Sequence, residues 1–180
     1  MNPLAIIKKY YDVDSEAYKI LVKHSRDVAD KALSIAKTHP EMNLDAAFID
    51  EAAMLHDIGI FLCDAPEIDC HGENAYIRHG YLGAELMRKE GYPRHALVCE
   101  RHTGAGISLK MIEECDLPIP RKDFMPISPE EQIICFADKF FSKTHLSKEK
   151  SISKIQNSLS KYGDDSVLRF NNWRKLFLVQ

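Results

Sequence analysis

The run Ala52-Ala53-Met54-Leu55-His56-Asp57-Ile58-Gly59 is apolar until it reaches an imidazole and a carboxylate side by side, and it then stops at a glycine. A helix with such a run belongs in a core, where an unpartnered polar group costs roughly 2–7 kcal/mol. Any fold containing this stretch must bring a partner to His56 and Asp57, and a cation held by both is the simplest one. The other histidines and inward carboxylates decide whether enough ligands can converge there.

The 180 residues suffice for one domain with a substantial core. Net charge is −3, which offers no basic field to nucleic acid or to an anionic membrane. No apolar run approaches the ~20 residues that span a bilayer, and Met1-Asn2-Pro3-Leu4 lacks a signal-peptide pattern. Cys63, Cys70, Cys99, Cys115 and Cys135 are odd in number and without C-x-x-C spacing. This argues against a disulfide framework and a thiolate zinc site, and the expected location is cytoplasmic.

Apolar spacing predicts an all-α chain. A short helix covers Pro3 to Tyr11. The next, capped by Asp14 or Ser15, runs to about Thr38 with Tyr18, Leu21, Val28, Ala32, Ile35 and Ala36 on one stripe, and His24 lies inside it. After a loop at Pro40, a helix from about Leu44 to Ile58 ends with Gly59 in the left-handed conformation. The irregular stretch Phe61 to Tyr76 reads as a lid leaving the His56-Asp57 site. His79 opens a helix that Gly91 ends, with Gly80 and Gly83 permitting close approach of a neighbour. Pro93 to His102 forms another helix, broken by Thr103-Gly104-Ala105-Gly106, and Gly106 to Pro126 is mixed. Ser128-Pro129-Glu130-Glu131 starts a helix that carries Ile134, Asp138 and Phe141 on its apolar face. Beyond His145, Ile152, Ile155, Leu159 and Tyr162 mark one helix. Val167 to Val179, with Phe170, Trp173, Leu176 and Phe177, marks a second packed on the body.

Taken singly, each histidine has a plain explanation: His24 as a core side chain satisfied by a carbonyl, His56-Asp57 as a chance dipeptide, His95 as a surface or core residue. Together, His24, His56, Asp57, His79, His102 and Asp138 lie on the inner side or inner end of separate helices, the adjacent pair apart. Helices that converge their polar groups in this way build a metal site. Four imidazoles and two carboxylates suit Fe, Mn, Zn, Ni or Co better than Ca or Cu(I). Six ligands exceed what one catalytic ion with an open position needs and suffice for two.

This series resembles the HD-domain superfamily of metal-dependent phosphohydrolases, and His56-Asp57-Ile58-Gly59 has the form of its HDIG variant. The resemblance covers roughly Ser15 to Phe141. It implies a single HD-domain helical bundle spanning 1–180 with the metal site in its core and residues 145–180 as C-terminal helices packed on it. It further implies that His24, His56, Asp57 and Asp138 bind one ion, that His79 and His102 bind a second, and that Asp57 bridges them. Many binuclear relatives carry a phosphate-binding lysine where this chain has Ile60, so Arg78, Arg101 and Lys139 are the candidate phosphate contacts here. The implied reaction is hydrolysis of a phosphate ester of a nucleotide or small phosphorylated metabolite by a bridging hydroxide, with Asp57 as a possible base; His71, Glu73 or a water is the candidate acid for the leaving oxygen. The alternatives are an HD-type di-iron oxygenase, which shares these ligands, and a catalytically silent metal-binding regulatory module.

Overall fold

Side-chain oxygens start most of the helices in the computed structural model, which describes residues 1–146 and 148–178. Asn2 caps α1 (Pro3–Ile7), Ser15 caps α2 (Glu16–Thr38) and Asp45 caps α3 (Ala46–Leu55), each accepting from a backbone N–H in the first turn. Two helices, α4 (His79–Lys89) and α5 (Pro93–Arg101), pack on each other, and Gly91 between them takes φ +86°. Ser108 caps α6 (Leu109–Glu114), a helix within the stretch expected to be mixed. Ser128 caps α7 (Pro129–Asp138), accepting from the Glu131 N–H at 3.2 Å, as its sequence spacing predicts. The chain closes with α8 (Ile152–Leu159) and α9 (Asp164–Phe177). The expected helix end at Val179 lies outside the described residues.

Helix α3 is the axis of the bundle, flanked by α2, α5 and α7. Its Ile49, Ala52, Ala53 and Leu55 are wholly buried, as are Leu21, Val28, Ala29 and Ala32 of α2. The small residues Ala52 and Ala53 let neighbouring helices come near the end of α3, where the polar pair follows. On the far side of α7, Phe136 stacks on Phe170 with centroids 5.2 Å apart, and Ile155, Leu159 and Phe177 close the same apolar cluster. The expected contribution of Leu176 is not found: it is 51% exposed, because α9 turns Phe170, Trp173 and Phe177 inward instead.

Two boundaries differ from expectation at the centre. Helix α3 stops at Leu55, so His56 and Asp57 sit in the tight turns that follow, with Ile58 N–H bonded to the Leu55 carbonyl and Ile60 N–H to the Asp57 carbonyl, both at 3.0 Å. Gly59 is not left-handed; its φ is −84°. Glycine is required there for space, since a Cβ would lie 2.3 Å from the His79 carbonyl oxygen and 2.5 Å from the Gly83 nitrogen. The stretch after Gly59 is also more ordered than expected, with a two-residue antiparallel pair, β1 (Asp64–Ala65) and β2 (Cys70–His71). Ala65, Ile68 and Cys70 are buried against the cluster containing Leu21 and Ile58, so the segment is packed down on the bundle. No helix among the described residues is long and apolar enough to cross a membrane.

Candidate metal centre

Six side chains from five parts of the chain meet at Asp57. His24 arrives from the middle of α2, His56 and Asp57 from the turn after α3, His79 from the first residue of α4, His102 from the end of α5, and Asp138 from the end of α7. All six are buried, none more than 8% exposed. One group, His24, His56, Asp57 and Asp138, offers ligand atoms all within 4.8 Å of one another, and Asp57, His79 and His102 form a second such group.

The two carboxylate oxygens of Asp57 divide the groups. Oδ2 lies 3.2 Å from His24 Nε2 and 3.0 Å from His56 Nε2, while Oδ1 lies 3.3 Å from both His79 Nε2 and His102 Nε2. Asp138 Oδ1 joins the first group, 3.0 Å from His24 Nε2 and 3.5 Å from His56 Nε2.

Three of the four rings are oriented by the same local device. Nδ1 of His56 donates to the Ala53 carbonyl at 2.6 Å, Nδ1 of His79 to the Tyr76 carbonyl at 2.6 Å, and Nδ1 of His102 to the Cys99 carbonyl at 2.8 Å. Each acceptor is three residues earlier, so a histidine at the edge of a helix reads its own preceding turn. A carbonyl can only accept, so each Nδ1 carries a proton and each ring, when neutral, aims its Nε2 lone pair into the centre. Outer hydrogen bonds of this kind fix the tautomer of metal-binding histidines.

Among the inner atoms, His24 Nε2 bonds Asp138 Oδ1 at 3.0 Å. His79 Nε2 and His102 Nε2 are 3.0 Å apart, both with lone pairs inward. His56 Nε2 and both oxygens of Asp57 are buried and have no hydrogen-bond partner of suitable geometry. The opposed lone pairs of His79 and His102 repel unless positive charge lies between them, and four imidazoles with two carboxylates are a donor set that fits divalent cations.

The titration behaviour has the same origin. Burial disfavours charge on His56, but the Asp57 and Asp138 carboxylates outweigh it and raise its pKa to about 9. Burial, with the Asp57 carboxylate opposing it, drops His79 to about 3, and burial likewise lowers His102. Burial would raise Asp57 and Asp138, yet His56 and Lys143 hold the first, and Lys139 with the histidines the second, well below the usual carboxylate range.

Lys143, which sequence spacing does not identify, places Nζ 2.6 Å from Asp57 Oδ2, and its side chain is only 15% exposed. Sequence spacing does not identify Tyr76 either. Its ring stacks on His79 at 4.6 Å between centroids while its carbonyl orients that same ring. Of the expected phosphate contacts, Lys139 reaches the centre, with Nζ 2.7 Å from Asp138 Oδ2 and 3.0 Å from the His102 carbonyl. Arg101 is not brought there: its guanidinium pairs with Glu131 at 3.0 Å, because a residue next to an inward one on a helix points about 100° away. Arg78 is engaged by Asn74 Oδ1 at 2.8 Å. His71 lies outside the centre, with its side chain 69% exposed beside Asp69. His95 is buried elsewhere, 3.3 Å from Glu51. A cavity of about 270 Å³ adjoins the cluster, lined in part by Glu67, Ile68, Tyr76, Asp138, Lys139 and Lys143.

Residues 21–142 match the HD domain family. The chain is 33% identical over 145 residues to an uncharacterised protein of Methanocaldococcus jannaschii, with 78% of each covered. It is 32% identical to the tRNA (cytidine(56)-2'-O)-methyltransferase of Thermoplasma volcanium and 29% identical to that of Picrophilus torridus. Those alignments take in 86% and 77% of this chain but 41% and 36% of the two methyltransferases. The crystal structure of the HD domain of the L. monocytogenes phosphodiesterase PgpH superposes with a TM-score of 0.57 at 17% identity, over 97% of this chain and 89% of that one. At that identity the likeness is one of fold.

Proposed function

The chain belongs to the HD domain family, and from that premise we propose that it is a metal-dependent phosphohydrolase acting on an ester of a small phosphorylated metabolite or nucleotide. The observation that carries the reading is the carboxylate of Asp57, whose two oxygens face two separate ligand groups. His24, His56, Asp57 and Asp138 would hold one divalent cation and Asp57, His79 and His102 a second, with Fe, Mn, Zn, Ni and Co the fitting ions. Cations bound there supply Lewis acidity, making water acidic enough to ionise near neutral pH and offsetting charge on phosphoryl oxygens.

The chain's own residues supply the rest. The i−3 carbonyl bonds hold three imidazoles in one tautomer, so no ring reorganises when charge develops. Lys143 and Lys139 stand at the cavity side of the two carboxylates, where ammonium groups can meet the non-bridging oxygens of a phosphate. Asp57 would bridge the two cations, and it is the candidate base. The His56-Asp57-Ile58-Gly59 stretch works as the HDIG form of the motif, its glycine admitting the backbone of α4 so that His79 reaches Asp57. The C-terminal helices complete the same core as α7, which supports one domain across the chain. The ammonium groups beside the cluster favour an anionic ester over oxygenation of a neutral substrate.

The test is phosphate release from a panel of nucleotides and small phosphate esters after loading with Mn or Fe. At least one ester should turn over, without oxygen, and His56→Ala should abolish it. Full turnover by His56→Ala, or none by loaded protein on any ester, would overturn the reading.

A further inference from the structure

The cavity beside the cluster has a wall that lies outside the matched family region. Lys139, Lys143, Lys150 and Lys161 line it, and the last three lie beyond residue 142. They are delivered by separate pieces of chain: the connection after α7 carries Lys143 and Lys150, and the turn Ser160–Tyr162 after α8 carries Lys161. The carboxylates lining the same space are Glu67 and Asp138.

The four ammonium groups are not equivalent. Lys139 and Lys143 are paired with Asp138 and Asp57. Lys150 donates to the Phe141 carbonyl at 2.7 Å, and Lys161 lies 5.0 Å from the Tyr162 ring. Among the described residues neither has a carboxylate within ion-pair distance. Burial, and then the charges of Lys139, Lys143 and Lys161, lower the pKa of Lys150, with Asp138 opposing. Like charges gathered around one cavity repel, and an anion of matching reach relieves them.

We propose that Lys150 and Lys161 form a second anion subsite, so that the substrate carries two phosphoryl groups, one at the Asp57–Asp138 end and one at the lysine wall. At about 270 Å³ the cavity suits a compact bisphosphate or phosphoanhydride rather than a polymer. The inference rests on the phosphohydrolase reading for the reacting end only. The second phosphoryl group is an anchor, held by charge-assisted hydrogen bonds from two ammonium groups.

Calorimetric titration of metal-loaded full-length protein with inorganic phosphate and with pyrophosphate tests this, using Lys150→Gln and Lys161→Gln. Pyrophosphate should bind the parent about tenfold or more tighter than phosphate. Each substitution should weaken pyrophosphate about tenfold and phosphate less than about threefold. Metal content should match the parent in both. Lys161→Gln decides the matter if Lys150→Gln, which loses its bond to the Phe141 carbonyl, fails to fold. Pyrophosphate affinity untouched by both substitutions, or both ligands weakened equally, overturns the subsite. If p-nitrophenyl phosphate is hydrolysed while pyrophosphate binding ignores the lysines, the subsite is refuted and the hydrolase reading stands. Lysine-dependent pyrophosphate binding with no ester hydrolysed leaves the subsite standing and removes the hydrolase reading.

Discussion

Replacing Gly59 by alanine adds one methyl group at the point where α4 meets the turn after α3. The new Cβ would lie 2.3 Å from the His79 carbonyl oxygen and 2.5 Å from the Gly83 nitrogen, and both are backbone atoms that cannot rotate away. Restoring the 3.4 Å of ordinary contact requires a retreat of about 1.1 Å by the first turn of α4. That turn begins with His79, whose Nε2 is 3.3 Å from Asp57 Oδ1. Metal–ligand distances tolerate only about 0.2 Å, so the His79–His102 group should lose its cation while the His24–His56–Asp138 group keeps its own. Overpacking of this kind costs about 1–3 kcal/mol or somewhat more, and about 2–4 °C of Tm per kcal/mol for a chain of this size. Gly83→Ala provides the graded comparison, since its nearest backbone neighbour would be 3.1 Å away, and it should do less on both counts. The assay is metal content by mass spectrometry alongside thermal unfolding. A Gly59→Ala protein with the parent's melting temperature and metal content would refute the close-approach explanation.

Lys143→Gln should keep its metals while kcat/KM falls about 10²- to 10³-fold, the usual loss when one charge-stabilising donor is removed. Unchanged kinetics would show that Lys143 does not meet substrate. Metal uptake should also release a proton. His56 in the ion-free protein has its pKa raised to about 9, and a cation at Nε2 must displace that proton, so apparent affinity should rise with pH up to about 9 and level off above it. The groups facing His56 there are Asp57, Asp138, His24 and His102, and calorimetry in two buffers of different ionisation enthalpy near pH 7 should find about one proton released; none released refutes it. Phe170→Ala, removing a ring that is wholly buried against Phe136, should cost roughly 3–5 kcal/mol. A loss under about 1 kcal/mol by denaturant titration would show that α9 is not part of the core.

Four residues of the centre are legible because each occupies an inward position that helical spacing can project, His24 within the stripe of α2, Asp138 four residues after Ile134, and His79 and His102 at helix ends, while His56 and Asp57 stand out as the polar pair that ends an apolar run. Lys143 is not legible, because it follows the end of α7 in a segment without regular geometry, where no period says which way a side chain points. The one signal was its place five residues after Asp138 in a lysine-rich stretch poor in acids. Arg101 shows the limit of sequence adjacency: it neighbours His102, yet the helix turns its side chain to Glu131. Gly59 was read as a left-handed helix end because glycine at a helix terminus usually serves that purpose. Its actual role depends on how closely α4 approaches, which a single segment cannot reveal. The packed order of residues 61–76 was hidden for the same reason: its turns are fixed by Ile68 and Cys70 reaching a core built from distant parts of the chain.

Anomalous diffraction from crystals grown with Mn tests the central arrangement most directly. The expected result is two peaks flanking Asp57, one beside His24, His56 and Asp138 and the other beside His79 and His102. A single peak, or the imidazoles of His79 and His102 turned away from Asp57, would contradict a carboxylate that serves two cations.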